Sequence, residues 1–246
     1  MQEDAAWPVP VPVWDLATRL FHWSLAALVL FNLILGGKEP GLEFVLHVLG
    51  GYLVGLLLLY RFVWGLIGSP HSRFRDFVAG WPVVKTYAGR LIRFDPPRHV
   101  GHNPLGGWMI VLLLATLSFI VFTGLFGAGR QTSGSLAAYL PLFLSHWLGE
   151  LHELASDVLW GLIGIHVAGV LLDWLLTREN IVWAMIKGDK QLPPDAAARE
   201  LPLAGHWRAI ALAVVMIALF GAAVARTDFS SLSHPQADRQ SSLTRD

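Results

Sequence analysis

The chain has 246 residues, 54% of them apolar and 15% charged, with 18 basic and 18 acidic side chains and a formal net charge of zero. A mean hydropathy of +0.52 reflects far more apolar surface than a water-soluble domain needs, which excludes an ordinary soluble fold and points to an integral membrane protein. The chain contains no cysteine, which excludes disulfides and cysteine-ligated iron–sulfur clusters.

In chain order, residues 1–12 form a proline-rich segment in which Pro8, Pro10 and Pro12 favour extended backbone leading into the first helix. Five apolar windows follow, at 17–36, 42–67, 104–127, 148–176 and 207–225. Each approaches or exceeds the roughly 20 residues that a helix needs to cross a hydrocarbon core of about 30 Å. The first window reads as a retained helix rather than a signal peptide, because residues 1–15 are acidic and no clean small-residue cleavage site ends the window. Residues 74–87 have the character of an amphipathic piece lying on the inner membrane surface. No strand-rich region, internal repeat or second soluble domain is visible. The end of the chain, 227–246, is polar and without period, as expected of a mobile tail.

The expected fold class is therefore an all-α integral membrane protein: a four-helix transmembrane bundle plus a fifth, C-terminal transmembrane helix. Its expected parts are the proline-rich segment 1–12, a four-helix membrane domain 13–190, a linker and fifth helix 191–226, and the tail 227–246. Loop charge orients it. Residues 68–103 carry Arg73, Arg75, Lys85, Arg90, Arg93 and Arg98, and the stretch after the fourth helix carries Arg178, Lys187, Lys190 and Arg199. The turn after helix one has only Lys38 and the loop after helix three only Arg130. Both basic stretches belong inside, so the N-terminus is expected in the cytoplasm and the tail on the outer face.

Four histidines lie within apolar windows: His22, His47, His152 and His166. Helix one runs outward and helices two and four run inward, which puts His22 and His166 near the inner face and His47 and His152 near the outer face. His152, four residues past the start of its window, and His166, about 27 Å from that start, thus sit at two depths on one helix. A single intramembrane histidine is often a hydrogen-bonded packing residue; four at two matched depths favour ligation of a metal or haem, since interior ionisable groups are costly. Two neutral imidazoles on opposite helices can clamp a planar macrocycle edge-on. Bis-histidine iron has no open position, so such a site suits the passage of single electrons rather than oxygen chemistry. Without cysteine, any haem is held non-covalently.

Small residues near these histidines would let a flat ring approach. Gly51 and Gly55 follow His47 on its helix face, and Gly161, Gly164 and Gly169 surround His166, although glycine also serves helix packing. Arg19, one turn before His22, and Arg61, near the inner end of helix two, are candidates to neutralise the carboxylates of an inner haem; inner-face anchoring is the alternative. The other histidines, His71, His99, His102, His146, His206 and His234, read as solvated or interfacial. His152-Glu153 begins a zinc-protease pattern that Ser156 breaks. Eleven tryptophans, several near helix ends, fit an interfacial aromatic belt better than a nucleic-acid platform.

Several runs together carry a resemblance: Val13-Trp14-Asp15-Leu16-Ala17-Thr18-Arg19-Leu20-Phe21-His22-Trp23, Gly101-His102-Asn103-Pro104-Leu105-Gly106-Gly107-Trp108-Met109, Leu151-His152-Glu153, and His166-Val167-Ala168-Gly169-Val170 followed by Arg178-Glu179-Asn180. Across about 12–190 the chain resembles the prokaryotic cytochrome b561 family, in its branch akin to the b-type cytochromes of nickel–iron hydrogenases. The resemblance implies two non-covalent b haems, ligated by His22 with His166 and by His47 with His152, and electron exchange with ubiquinone or menaquinone in a bacterial inner membrane. It further implies a redox partner such as a periplasmic c-type cytochrome, a hydrogenase or another dehydrogenase, or superoxide as a substrate. A haem-containing anchor subunit of a larger complex is the alternative from another class. A histidine-lined transporter is disfavoured, because helix four offers few carboxylates within the membrane, Glu153, Asp157 and Asp173 among them.

Overall fold

The computed structural model describes residues 9–36, 41–128, 134–192 and 202–226. Lys38, Arg130, Arg199, His234 and the tail 227–246 lie outside them. Four helices are long and apolar enough to cross a membrane: α1 Leu16–Leu35, α2 Leu42–Ile67, α5 Pro104–Phe126 and α6 Leu142–Thr177. Two short helices, α3 Phe74–Phe77 and α4 Trp81–Ile92, occupy the basic loop between α2 and α5. Helix α7, Ile181–Lys187, follows α6. Helix α8, His206–Arg226, is apolar over His206–Ala222, a shorter stretch than the four spans.

Local chemistry sets these boundaries. Asp15 starts α1 by accepting the Thr18 N–H at 2.6 Å, and Asn103 starts α5 by accepting the Gly106 N–H at 2.7 Å, with Pro104 as the first helical residue. Asn180 caps α7 through the Trp183 N–H at 2.8 Å. That helix ends at Gly188, whose φ of 103° is open to glycine and strained for other residues. Helix α6 begins six residues before the expected 148, directly after Pro141, and runs for 36 residues. The polar Ser145 and His146 end the hydropathy signal, but they do not end the helix. His152 is therefore ten residues past the start of its helix rather than four, and His146 lies within the helix rather than at its edge.

The proline-rich lead-in is not a free segment. Val9–Pro12 (β1) pairs antiparallel with Asp189–Leu192 (β2), from Val9 opposite Leu192 to Pro12 opposite Asp189. In a two-stranded ladder each strand is an edge, so prolines that cannot donate are tolerated there. The Gly188 carbonyl then accepts the N–H groups of Val13 and Trp14 at 2.8 and 2.9 Å.

The chain divides into two compact units. Among the described residues, the first takes those within 1–23, 60–112 and 162–213, and the second those within 24–59, 113–161 and 214–226. In the first, Val13, Trp14, Phe21, Trp64, Phe77, Val84 and Tyr87 are buried; in the second, Val29, Val54, Leu58, Leu114, Leu117 and Leu159 are. Many large apolar side chains on the long helices are exposed, among them Phe31, Ile34, Leu66, Phe122, Ile165 and Leu175. Helices with satisfied backbones and outward-facing apolar side chains suit a lipid solvent, and the protein is a membrane protein.

Candidate functional site

Each unit holds one pair of neighbouring imidazoles. In the first, His22 of α1 and His166 of α6 have ring centres 6.5 Å apart with planes inclined at 54°. In the second, His47 of α2 and His152 of α6 have ring centres 6.0 Å apart at 86°. A metal ion between two imidazoles, with bonds of about 2.0–2.1 Å and about 1.1 Å from each nitrogen to its ring centre, needs ring centres about 6.2 Å apart. Both pairs fit that spacing. Among the described residues no group of three or more histidine, cysteine or carboxylate side chains gathers as a protein-only metal site would require. The donor set suits a metal whose remaining ligands come with it, as in haem.

Hydrogen bonding orients the second pair. His47 Nδ1 lies 3.1 Å from the Asn32 carbonyl and His152 Nδ1 lies 2.9 Å from the Ile120 carbonyl. A carbonyl oxygen can only accept, so each Nδ1 carries the proton and each Nε2 keeps its lone pair for a metal. Helix packing permits this approach. A Cβ at Gly124 would meet His152 Cε1 at 2.8 Å, and one at Gly50 would collide with the Asn32 side chain. Gly51 and Gly161 in this unit, and Gly164 and Gly169 in the other, have nothing within 4 Å of an added Cβ, while Gly55 meets Val121 at 3.2 Å.

The first unit also holds a buried polar network. Asp15 accepts hydrogen bonds from Ser72 Oγ at 2.9 Å and Trp64 Nε1 at 3.3 Å. Arg61, 4% exposed, donates to the Ser72 carbonyl at 2.9 Å, and its guanidinium lies over Phe21, Phe74 and Phe77 at 5.9, 5.0 and 5.7 Å. Arg19 donates through one terminal nitrogen to the Ile186 carbonyl at 2.6 Å. It also borders a shallow apolar groove with Leu16, Leu20, Trp23 and Ile186. Asp173 accepts from Asn103 Nδ2 at 2.9 Å and from the Tyr87 hydroxyl at 3.2 Å. Burial, then the Asp173 charge, push the Tyr87 hydroxyl above its ordinary value.

The loop histidines differ from the solvated reading. His102 lies between Trp14 at 4.5 Å and Phe77 at 4.9 Å. Burial, then the positive charge of Arg61, lower its imidazole from the usual 6.5 to about 3. His99 packs edge-on to Tyr87 at 5.4 Å, and His71 lies 6.4 Å from Trp14. His146 and His206 are exposed, as read from the sequence. Asn32, Gly124, Trp14 and His102 were not singled out as site residues, since each acts through contacts distant in the chain. Trp14 and His102 each stand in a run that carries the resemblance, and that was the hint the sequence offered.

The chain is similar to three probable Ni/Fe-hydrogenase B-type cytochrome subunits. The relative from Rhizobium leguminosarum is 26% identical over 73% of this chain and 88% of its own length. Those from Bradyrhizobium diazoefficiens and Cupriavidus necator are 24% and 25% identical, over 74% and 72% of this chain and 86% and 85% of theirs. No solved structure matches. The profile of prokaryotic cytochrome b561 matches residues 13–188, and the chain belongs to that family of haem-bearing membrane proteins that carry electrons.

Proposed function

We propose that the protein is a di-haem electron conduit of a bacterial inner membrane. In this reading His22 and His166 hold one b haem and His47 and His152 the other, and electrons are exchanged between a quinone and a redox partner on the outer side. The observation that carries it is the presence of two imidazole pairs at the spacing a single metal needs, one in each unit. Haem b bound there would supply reversible one-electron chemistry. The chain's own residues ligate, orient and exclude water. The Nδ1 protons of His47 and His152 are fixed on carbonyls, and the apolar helices keep the ligand nitrogens from solvent. The partner best supported by the names of the three relatives is a nickel–iron hydrogenase. Loop charge puts the N-terminus in the cytoplasm, and a fifth crossing by α8 would deliver the tail to the periplasm.

The test is a pyridine haemochrome count on purified protein, with reduced spectra recorded before and after quinone addition. Two b haems per chain are expected, falling to one in His22→Ala or His47→Ala and to none when all four histidines are replaced. Haem retained in the quadruple variant would end the proposal. Reduced haems that no quinone reoxidises would replace the conduit with a haem-bearing anchor subunit.

A further inference from the structure

Unsatisfied polar atoms are not spread evenly through the chain. Among the described residues five buried side-chain nitrogen or oxygen atoms lack a hydrogen-bond partner: Trp14 Nε1, Arg19 Nε, His22 Nδ1, Asn32 Oδ1 and His102 Nδ1. The four nitrogens all belong to the first unit. Trp14 Nε1 and Arg19 Nε can only donate, and His102 Nδ1 donates in one of its two neutral tautomers. A buried donor without an acceptor has lost water with nothing in return, so a cluster of them implies an acceptor that binds there.

Packing holds these donors in place. Trp14 is 2% exposed, and its backbone N–H donates to the Gly188 carbonyl at 2.9 Å. The His102 ring lies tilted against the Trp14 ring at 4.5 Å and against Phe77 on another side at 4.9 Å. Arg19 is tied by its terminal nitrogen to Ile186, which leaves Nε unused. Arg61, the other arginine of this unit with a possible claim on an anion, is already engaged with the Ser72 carbonyl and three aromatic rings. His22 lies about one helical turn beyond Arg19 on α1, and Trp14 stands two residues before that helix begins.

We propose that Trp14 Nε1 and His102 Nδ1, with Arg19 Nε, receive a carboxylate of the haem held by His22 and His166. This rests on the di-haem reading above. Of the two arginines that the sequence offered, it keeps Arg19, sets Arg61 aside, and adds a tryptophan and a histidine that composition gave no reason to choose. Neutral donors suit a buried carboxylate, since each stabilises it without adding another buried charge.

The experiment is a haem titration of the full-length apoprotein in detergent, with haem b and with its dimethyl ester, which has the same ring and no carboxylate. With haem b, Trp14→Phe and His102→Leu should each weaken binding at one of the two sites by about tenfold, a typical consequence of losing a donor to a charged group. With the ester, wild type and variants should bind alike. His102→Gln, which keeps a donor, should recover most of the loss. Trp14→Phe retains an aromatic ring against His102 and keeps the test independent of folding. An equal loss with haem and ester, or no loss with either, overturns the proposal in favour of packing or a bound water or free anion. His22→Ala in the same titration separates the two readings. If it keeps both haems, the di-haem reading fails; if it loses one while esterification has no effect, only the carboxylate assignment fails.

Discussion

Gly124 is where a single hydrogen atom decides whether an imidazole can approach its helix. A methyl group there would sit 2.8 Å from His152 Cε1 and 3.0 Å from Nδ1. The ring would have to move, and with it the 2.9 Å bond to the Ile120 carbonyl. Gly124→Ala is therefore expected to cost about 1–3 kcal/mol through overpacking and to lower the haem count per chain toward one, read by pyridine haemochrome. The four intramembrane histidines were visible in the sequence because an ionisable group in an apolar window is rare enough to stand out. Gly124 and Asn32 were not, because what distinguishes each is a neighbour on another helix; Trp14 and His102 stood in runs that carry the resemblance, but nothing in the sequence showed that their rings meet.

At the scale of elements, hydropathy found the long helices to within a residue or two except at the start of α6, where Pro141 rather than the first run of apolar residues sets the boundary. The β1–β2 ladder was illegible for the opposite reason. Prolines read as unpaired extended chain, and the pairing joins residues about 180 positions apart. The hinge of that ladder is Gly188, with φ 103° and a Trp14 carbonyl 2.9 Å from any added Cβ. Gly188→Ala should destabilise the protein by at least about 1 kcal/mol, seen as a lower unfolding temperature in detergent. Helix α4 is tied to α6 through the Tyr87 hydroxyl and Asp173, and Tyr87→Phe should cost about 1 kcal/mol. Because the folded hydroxyl titrates above its ordinary value, the bond's contribution is fully present below about pH 10 and is lost only as pH rises through the folded value. The difference in unfolding temperature between wild type and Tyr87→Phe should therefore stay constant from about pH 7 to 9.

For the whole molecule, α8 decides whether the chain crosses the membrane four times or five. Its apolar stretch, His206–Ala222, extends about 26 Å at about 1.5 Å per residue, short of the hydrocarbon thickness of about 30 Å. A crossing by this helix would need local thinning of the bilayer or snorkelling at its ends. Four crossings return the chain to the side on which it began, whereas a fifth delivers residues 227–246 to the opposite face. The absence of native cysteine makes the distinction measurable with single introduced thiols. In intact cells a membrane-impermeant maleimide should label Gln240→Cys and leave Arg93→Cys, in the basic loop assigned to the inside, unlabelled until the cells are lysed. Both thiols reacting only after lysis would put the tail in the cytoplasm and make α8 a surface helix. Arg93→Cys reacting in intact cells would invert the whole orientation, and would move the His22 and His166 pair to the outer side of the membrane.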